Sequence, residues 1–402
     1  MSAKFYRVAV VLGLLSAIGP FAIDMYLPAL PSIGADLGAS TAAVQMSLLI
    51  FFLATASGQL VVGPLSDMVG RKAPLYFGLL LFMAGGVGAA LAPNVEWLIA
   101  FRFVQGLGAC AGMVVPRAVV RDLHTGVEAT RLMSLLMLVF SISPILAPLT
   151  GSFIIEGFGW RGVFWAVTIA ALIATVLLAT SLKETRTPEQ RTGSSPRSAL
   201  AGYRFLLGDR NFLGLTAIGG FAISSFFVYL SNSSFVLIDH YGLSPKAYSA
   251  FFSINAVSFF GMSQLTGALS QRFGLRRVVR VAVAGYAATM LALLAVMGSG
   301  ADHLWVMAAF LFVGYGFVGL VIPTTSVLAM DDHGAIAGTA SALMGTLQLG
   351  IGALAMGVAG LFFDGTPLPM VAGIAICAVL SFTLAQVTLG RRARTVAEAP
   401  AE

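Results

Sequence analysis

The chain has 402 residues, of which 58% are hydrophobic and only 10% charged, with a formal net charge of +6. A soluble domain carries about 25% charged residues, so this composition excludes a water-facing globular fold, and the mean hydropathy of +0.92 points to lipid as the solvent. In lipid the backbone is satisfied only within helices or closed barrels, and apolar runs of about twenty residues fit helices, not the roughly ten-residue alternating strands of a barrel.

Twelve helical spans are predicted. Six lie near residues 8–29, 44–64, 73–93, 97–117, 132–154 and 160–182, and six more near 212–236, 248–270, 278–298, 304–328, 338–362 and 369–390. Lys4 and Arg7 precede the first run as they would in a cleaved leader. That run holds Pro20, ends in Asp24 and a proline-rich stretch, and shows no small-residue cleavage site, so it is expected to be retained. The polar stretch from Lys183 to Arg210 carries six basic residues with Pro, Ser and Gly. The expected organisation is a six-helix half over 1–182, a linker over 183–211, a second half over 212–390 and a tail over 391–402.

Charge sets the expected orientation. With both termini cytoplasmic, 20 of the 23 Lys and Arg residues fall at cytoplasmic ends or loops, as the positive-inside rule requires. Only Arg161 and Lys246 fall outside, and Arg102 lies within a span. The basic residues are scattered over separate loops, so the net charge is a topology signal and no nucleic-acid partner is expected. Cys110 and Cys377 sit within spans and give no disulfide framework.

The two halves echo each other. Gly63-Pro-Leu-Ser-Asp67-Met-Val-Gly70-Arg71-Lys72 follows the second span, and Gly267-Ala-Leu-Ser-Gln271-Arg-Phe-Gly274-Leu275-Arg276-Arg277 follows the eighth. A parallel repeat of this kind places a substrate site between the halves near the bilayer midplane. The first copy resembles the signature loop of the major facilitator superfamily. Gly63 suits close helix approach, Gly70 a tight turn, and Arg71 with Lys72 anchors the loop inside. The resemblance implies that Asp67 acts in a conformational latch against the N-terminus of helix 11, where the dipole favours a carboxylate; Gly338-Thr339-Ala340-Ser341 reads as that N-terminus. Gln271 replaces the acid in the second copy, so a latch there should be weaker. A charged turn that only sets topology is the plainer reading.

Two charges fall inside spans, where they are costly and functional. Asp24 lies seven residues before Pro31, and Arg102 six residues after Glu96. At 1.5 Å per residue both sit roughly 10 Å below one surface, so pairing is expected. Burial favours the neutral carboxyl and a nearby guanidinium favours the carboxylate, so modest motion of the arginine would exchange a proton. No other carboxylate reads as deep. One proton crossing 100 mV supplies about 2.3 kcal/mol, enough for a gradient of roughly forty-fold for a neutral solute. Interfacial placement of Asp24 and snorkelling of Arg102 are the alternatives.

Asp24-Met-Tyr-Leu-Pro28-Ala-Leu-Pro31, Arg102-Phe-Val-Gln105-Gly106 and Arg121-Asp122 resemble the Bcr/CflA group of proton-coupled drug exporters, which includes bicyclomycin, chloramphenicol and florfenicol efflux proteins. The fifth span, Ser141-Ile-Ser-Pro144-Ile-Leu-Ala147-Pro148-Leu-Thr-Gly151, looks like a variant of the exporters' antiporter motif, with Ser141 where the first Gly is usual. Some related exporters carry a second acid in helix 1; Ser16 stands in that region here, which argues against divalent cations as cargo. The resemblance implies an inner-membrane, monomeric antiporter that exports small drug-like compounds, phenicol- or bicyclomycin-type antibiotics among them, by alternating access. It would use the proton gradient and no cofactor or metal. Phe21, Tyr26, Gln45, Ser225, Tyr229, Asn232, Asn255 and Gln348 are candidate cavity residues, since polar and aromatic groups in spans line such sites or hydrogen-bond helix to helix. No nucleotide loop or nucleophile elbow appears, and the four histidines fall in loops without metal-ligand spacing, so no catalytic residue is assigned. Proton-driven uptake of a small metabolite is the alternative function.

Overall fold

The computed structural model describes residues 3–124, 126–191 and 195–397; residues 192–194 of the expected linker and 398–402 of the expected tail lie outside the described residues. The secondary structure is helical throughout. In chain order α1 covers Ala3–Asp24, and a short turn of 3-10 helix leads into α2 (Leu30–Leu37). Then come α3 (Thr41–Val69), α4 (Lys72–Ala90), α5 (Val95–Leu123) and α6 (Gly126–Ser181). The expected linker region holds α7 (Pro188–Arg191) and α8 (Pro196–Gly208). After it come α9 (Arg210–Ser234), α10 (Pro245–Gln264), α11 (Thr266–Phe273), α12 (Leu275–Gly298), α13 (Leu304–Met330), α14 (Ala337–Leu361) and α15 (Pro367–Ala397).

Among the described residues, 10 helices are long and apolar enough to cross a membrane. One of these, Arg131–Ser181, runs for 51 residues, about 77 Å of helix against a hydrocarbon core of about 30 Å. Gly159, at φ 67° and ψ −179°, breaks α6 between the expected fifth and sixth spans, with a dihedral that glycine tolerates and L-residues resist. The expected eighth span coincides with α10, whose Ser249, Ser253, Asn255, Ser258 and Ser263 make it more polar than its neighbours. The twelve expected spans are consistent with this pattern. Phe77, Trp305 and Leu361 are 64%, 72% and 80% exposed, and many other large apolar side chains share their exposure. In water such a surface would be an aggregation liability; in a bilayer it faces lipid.

The chain packs as two compact units, Met1–Ala201 with Gly242–Ser253, and Gly202–Tyr241 with Ile254–Glu402. In the first unit, α1 packs on α5 and α6, α4 on α5 and α6, and α3 on α5. In the second, α9 packs on α13, α14 and α15, and α12 on α13 and α15. With α6 counted as two spans, the packing of α9 and α12 repeats that of α1 and α4. The repeat extends to single glycines. A Cβ on Gly106 of α5 would collide with the Phe51 carbonyl of α3, and one on Gly319 of α13 with the Phe259 carbonyl of α10. Close helix contact through small residues is how lipid-embedded helices gain packing energy.

Polar caps set the helix starts. Ser40 Oγ accepts from Ala43 N at 3.3 Å and Asn94 Oδ1 from Trp97 N at 3.1 Å. Asp209 Oδ1 accepts from Asn211 N and Phe212 N at 2.7 and 3.1 Å. Such caps satisfy amides that the helix itself leaves unpaired.

Candidate functional site

The signature loop folds around one buried arginine. Gly70 takes φ +99°, reversing the chain between α3 and α4, and a Cβ there would stand 2.6 Å from Arg191 Nη2 and 2.8 Å from Glu184 Oε2. The reversal brings Arg71 under the loop. Its Nη1 donates to Asp67 Oδ1 at 2.7 Å and Ser66 Oγ at 2.8 Å. Its Nε and Nη2 grip both oxygens of Asp122, at the end of α5, at 2.7 and 3.1 Å. This bidentate geometry is the strong form of an ion pair. Thr185 Oγ1 donates to the same Asp122 at 3.0 Å, and Arg186 lies 3.5 Å from Asp67.

The amide groups at the start of α4 find their acceptor far along the chain. Arg71 N and Lys72 N donate to Glu184 Oε1 and Oε2 at 2.8 and 3.0 Å. Burial pushes the Glu184 carboxyl up, but backbone N–H groups of Arg71, Lys72, Arg186 and Thr185 outweigh it and hold the group below the usual carboxylate range. Asp67 therefore meets Arg71 and Arg186 within the first unit, and α14 begins at Ala337, close to the expected Gly338. Gly63 differs from expectation: a Cβ there would meet only Val114 Cγ1 at 3.9 Å, so no close approach is made at that position.

The expected pairing of Asp24 with Arg102 is not made. Both are buried, at 5% and 0% exposure, but Arg102 Nη1 donates instead to Gln105 Oε1 at 2.7 Å and to the Ala22 carbonyl at 3.3 Å. The guanidinium lies over the rings of Phe51 and Tyr26, 4.2 and 4.7 Å from their centroids. Equal depth does not fix the direction a side chain takes around its helix, and an aromatic cleft with an acceptor one turn away captures this one. Among the described residues Arg102 Nε and Nη2 have no hydrogen-bond partner, so the cation is only partly satisfied by its surroundings.

Asp24 closes α1, and the next residue meets the fifth span. A Cβ on Gly151 would strike the Met25 carbonyl, so Gly151 is what lets α6 pass the end of α1. Pro144 and Pro148 lie in the same stretch of α6, where each removes a backbone donor. Two of its carbonyls take outside donors: Ser249 Oγ reaches Pro148 O at 2.8 Å and Ser253 Oγ reaches Ile145 O at 3.0 Å. The two cations on the sparsely basic face are each neutralised, Arg161 by Asp36 at 2.6 Å and Lys246 by Glu156 at 2.7 Å.

The Major Facilitator Superfamily profile matches residues 12–357. This chain belongs to that superfamily. It is 37% identical over 375 residues to the uncharacterized MFS-type transporter YdgK of Bacillus subtilis, covering 92% of each chain. It is 28% identical to a bicyclomycin resistance protein homolog of Haemophilus influenzae, covering 92% of this chain and 93% of the relative. The solved D-xylose-proton symporter matches with a TM-score of 0.72 over 96% of this chain and 97% of its own, at 18% identity, which establishes the shared fold. As a superfamily member the protein is a multi-pass membrane transporter of small molecules, and not an enzyme.

Within that fold the candidate cavity residues separate into groups. In the first unit, Tyr26 is buried, its hydroxyl 2.7 Å from Ser47 Oγ and its ring beside Phe164 at 5.4 Å; Gln45 is buried on α3, and Phe21 is partly exposed on α1. In the second unit, Asn255 Nδ2 donates to the Tyr229 hydroxyl at 3.1 Å, and Tyr315 Oη donates to the Ser225 carbonyl at 3.3 Å. Asn232 turns back on its own helix, donating to Val228 O at 2.8 Å. Gln348 Nε2 is buried without a partner among the described residues, beside Gly219 and Thr325. Sequence reasoning left Ser47, Phe51, Phe164, Glu184, Thr185 and Tyr315 unassigned. Only Gln105, one turn after Arg102, had a local signal.

Proposed function

We propose that the protein is a proton-coupled antiporter of the bacterial inner membrane, exporting small drug-like compounds of the phenicol or bicyclomycin kind by alternating access. Both termini are cytoplasmic in this reading, the working unit is the monomer, and the proton gradient is the energy source with no cofactor. The observation that carries it is Asp24: a carboxyl within the bundle, 5% exposed, with no cation bound to it among the described residues while Arg102 stands partly unsatisfied nearby in the chain's first unit. A buried carboxyl without a counter-ion is cheaper as the neutral acid, and one beside a guanidinium is cheaper as the carboxylate. Movement of Arg102 between Gln105 and Asp24 then loads and releases one proton per cycle. The resistance named in the Haemophilus influenzae relative supports export over uptake.

The latch around Arg71 has a matching role. Asp67 and Asp122 hold the start of α4 in one access state, and their release accompanies the other. The deciding test is Asp24→Asn in proteoliposomes. Drug-induced proton release is expected to disappear while the protein remains folded and still binds drug; retained proton release would remove Asp24 from the coupling step.

A further inference from the structure

An open cavity of about 810 Å³ lies at the end of the first unit where α1 begins and α5 and α6 end. Arg7, Lys72 and Lys183 line it, together with apolar groups such as Phe5 and Leu182. Its two acids are already engaged. Glu128 is 2.9 Å from His124 Nδ1, and Glu184 accepts the backbone amides that start α4. The three cations have no such partner: no carboxylate lies within 4.0 Å of any of them among the described residues. Arg7 is instead held in place, with Nε donating to Ser181 Oγ at 2.9 Å and Nη2 to Thr180 O at 3.4 Å.

A second groove of about 380 Å³ continues from this cavity along the outer face of α1 and α6. The two share Arg7, Thr180 and Ser181, and the groove is otherwise apolar, lined by Tyr6, Val10 and Leu177 among others. Tyr6 and Val10 are 56% and 62% exposed, both on α1. A cationic chamber at a helix end, opening onto an apolar channel along the helix side, has the two-part chemistry of a phospholipid. Basic pockets between membrane helices bind anionic head groups.

We propose that this chamber and groove bind one anionic phospholipid, its phosphate among Arg7, Lys72 and Lys183 and one acyl chain along Tyr6, Val10 and Leu177. Lys72 opens α4 and Lys183 precedes the Glu184 that caps it, so a bound head group ties the start of α1 to the signature loop. Anionic lipid content then biases the latch, and through it the access cycle.

The test uses the full-length protein in detergent, with native mass spectrometry counting retained lipid, and it involves no transport. Phosphatidylglycerol is expected to be retained as a single molecule, and phosphatidylcholine not. Arg7→Gln with Lys183→Gln should weaken phosphatidylglycerol retention by about fivefold for each cation removed. Val10→Ser should weaken it too, while leaving any competition by inorganic phosphate unchanged. Equal retention of the two lipids by the unaltered protein would overturn the proposal, whatever the fate of the variants. Full displacement of phosphatidylglycerol by millimolar inorganic phosphate would also overturn it and assign the chamber to a soluble anion. A positive lipid result alongside intact proton coupling in Asp24→Asn would leave this site standing while removing Asp24 from the coupling step.

Discussion

Arg102 is an expensive side chain to bury, because a guanidinium at 0% exposure has left water entirely. Its compensation is uneven. Nη1 has two acceptors, the ring faces of Phe51 and Tyr26 offer their negative quadrupoles, and two nitrogens have no hydrogen-bond partner among the described residues. Gln105 is therefore a main prop of the buried charge. Removing a partner of a buried polar group costs about 1–3 kcal/mol, so Gln105→Leu is expected to lower thermal stability by that order; an unchanged melting curve would mean that Arg102 finds another acceptor at no cost. Arg102→Lys tests the geometry as distinct from the charge. A lysine keeps the cation but loses the planar fork and the stacking over Phe51, so transport should fall by about tenfold or more while the net charge is unchanged. Normal transport by the lysine variant would show that charge alone suffices.

At the scale of single elements, α4 is instructive because its N-terminal cap comes from 113 residues away. Glu184 supplies what Ser40 and Asn94 supply locally to α3 and α5. The pH dependence follows from its lowered folded value: the contribution is complete above the ordinary carboxylate range and is lost as pH falls through the folded value. Glu184→Gln is expected to cost about 0.5–2 kcal/mol at neutral pH, measured by thermal unfolding. The gap to the unaltered protein should close in acid below about pH 4, and a gap that persists there would deny the carboxylate its role. Gly70→Ala should be harsher than an ordinary surface substitution, since φ +99° strains any L-residue by about 1–2 kcal/mol and the new methyl would press on Glu184.

The contrast shows what the sequence made legible. Apolar runs announce helices because lipid permits little else, and Gly-Arg after a long apolar run announces the turn that Gly70 makes. The direction of the Arg102 side chain was not legible, because counting residues gives depth and leaves the angle around the helix open. Glu184 was equally hidden: it sits in a stretch without periodicity, and only the return of α6 to the same membrane face brings it to α4. The repeated glycine contacts at Gly106 and Gly319 were obscured for a related reason, since glycine is common in this chain at 45 residues and spacing alone does not single out those that meet a neighbouring helix's carbonyl.

Taken as one machine, the protein carries a single deep carboxylate in the proposed cycle, and that count has an electrical consequence. Exchange of one proton for one neutral solute moves one net charge across the membrane per turnover. Each 100 mV then contributes about 2.3 kcal/mol, or a concentration ratio of roughly forty-fold. Exchange of one proton for one monovalent cation moves no net charge and gains nothing from the potential. Proteoliposomes with a potassium diffusion potential and no pH gradient separate the cases. A neutral phenicol is expected to accumulate in the direction set by the potential, and a monovalent cationic dye to be indifferent to it. Neutral transport that ignores the potential would exclude one-proton exchange, because the charge of the proton would have to be balanced by a second ion that Asp24 cannot carry. Potential-driven movement of the dye would instead require more than one proton per turnover, and hence a second titrating group beside Asp24.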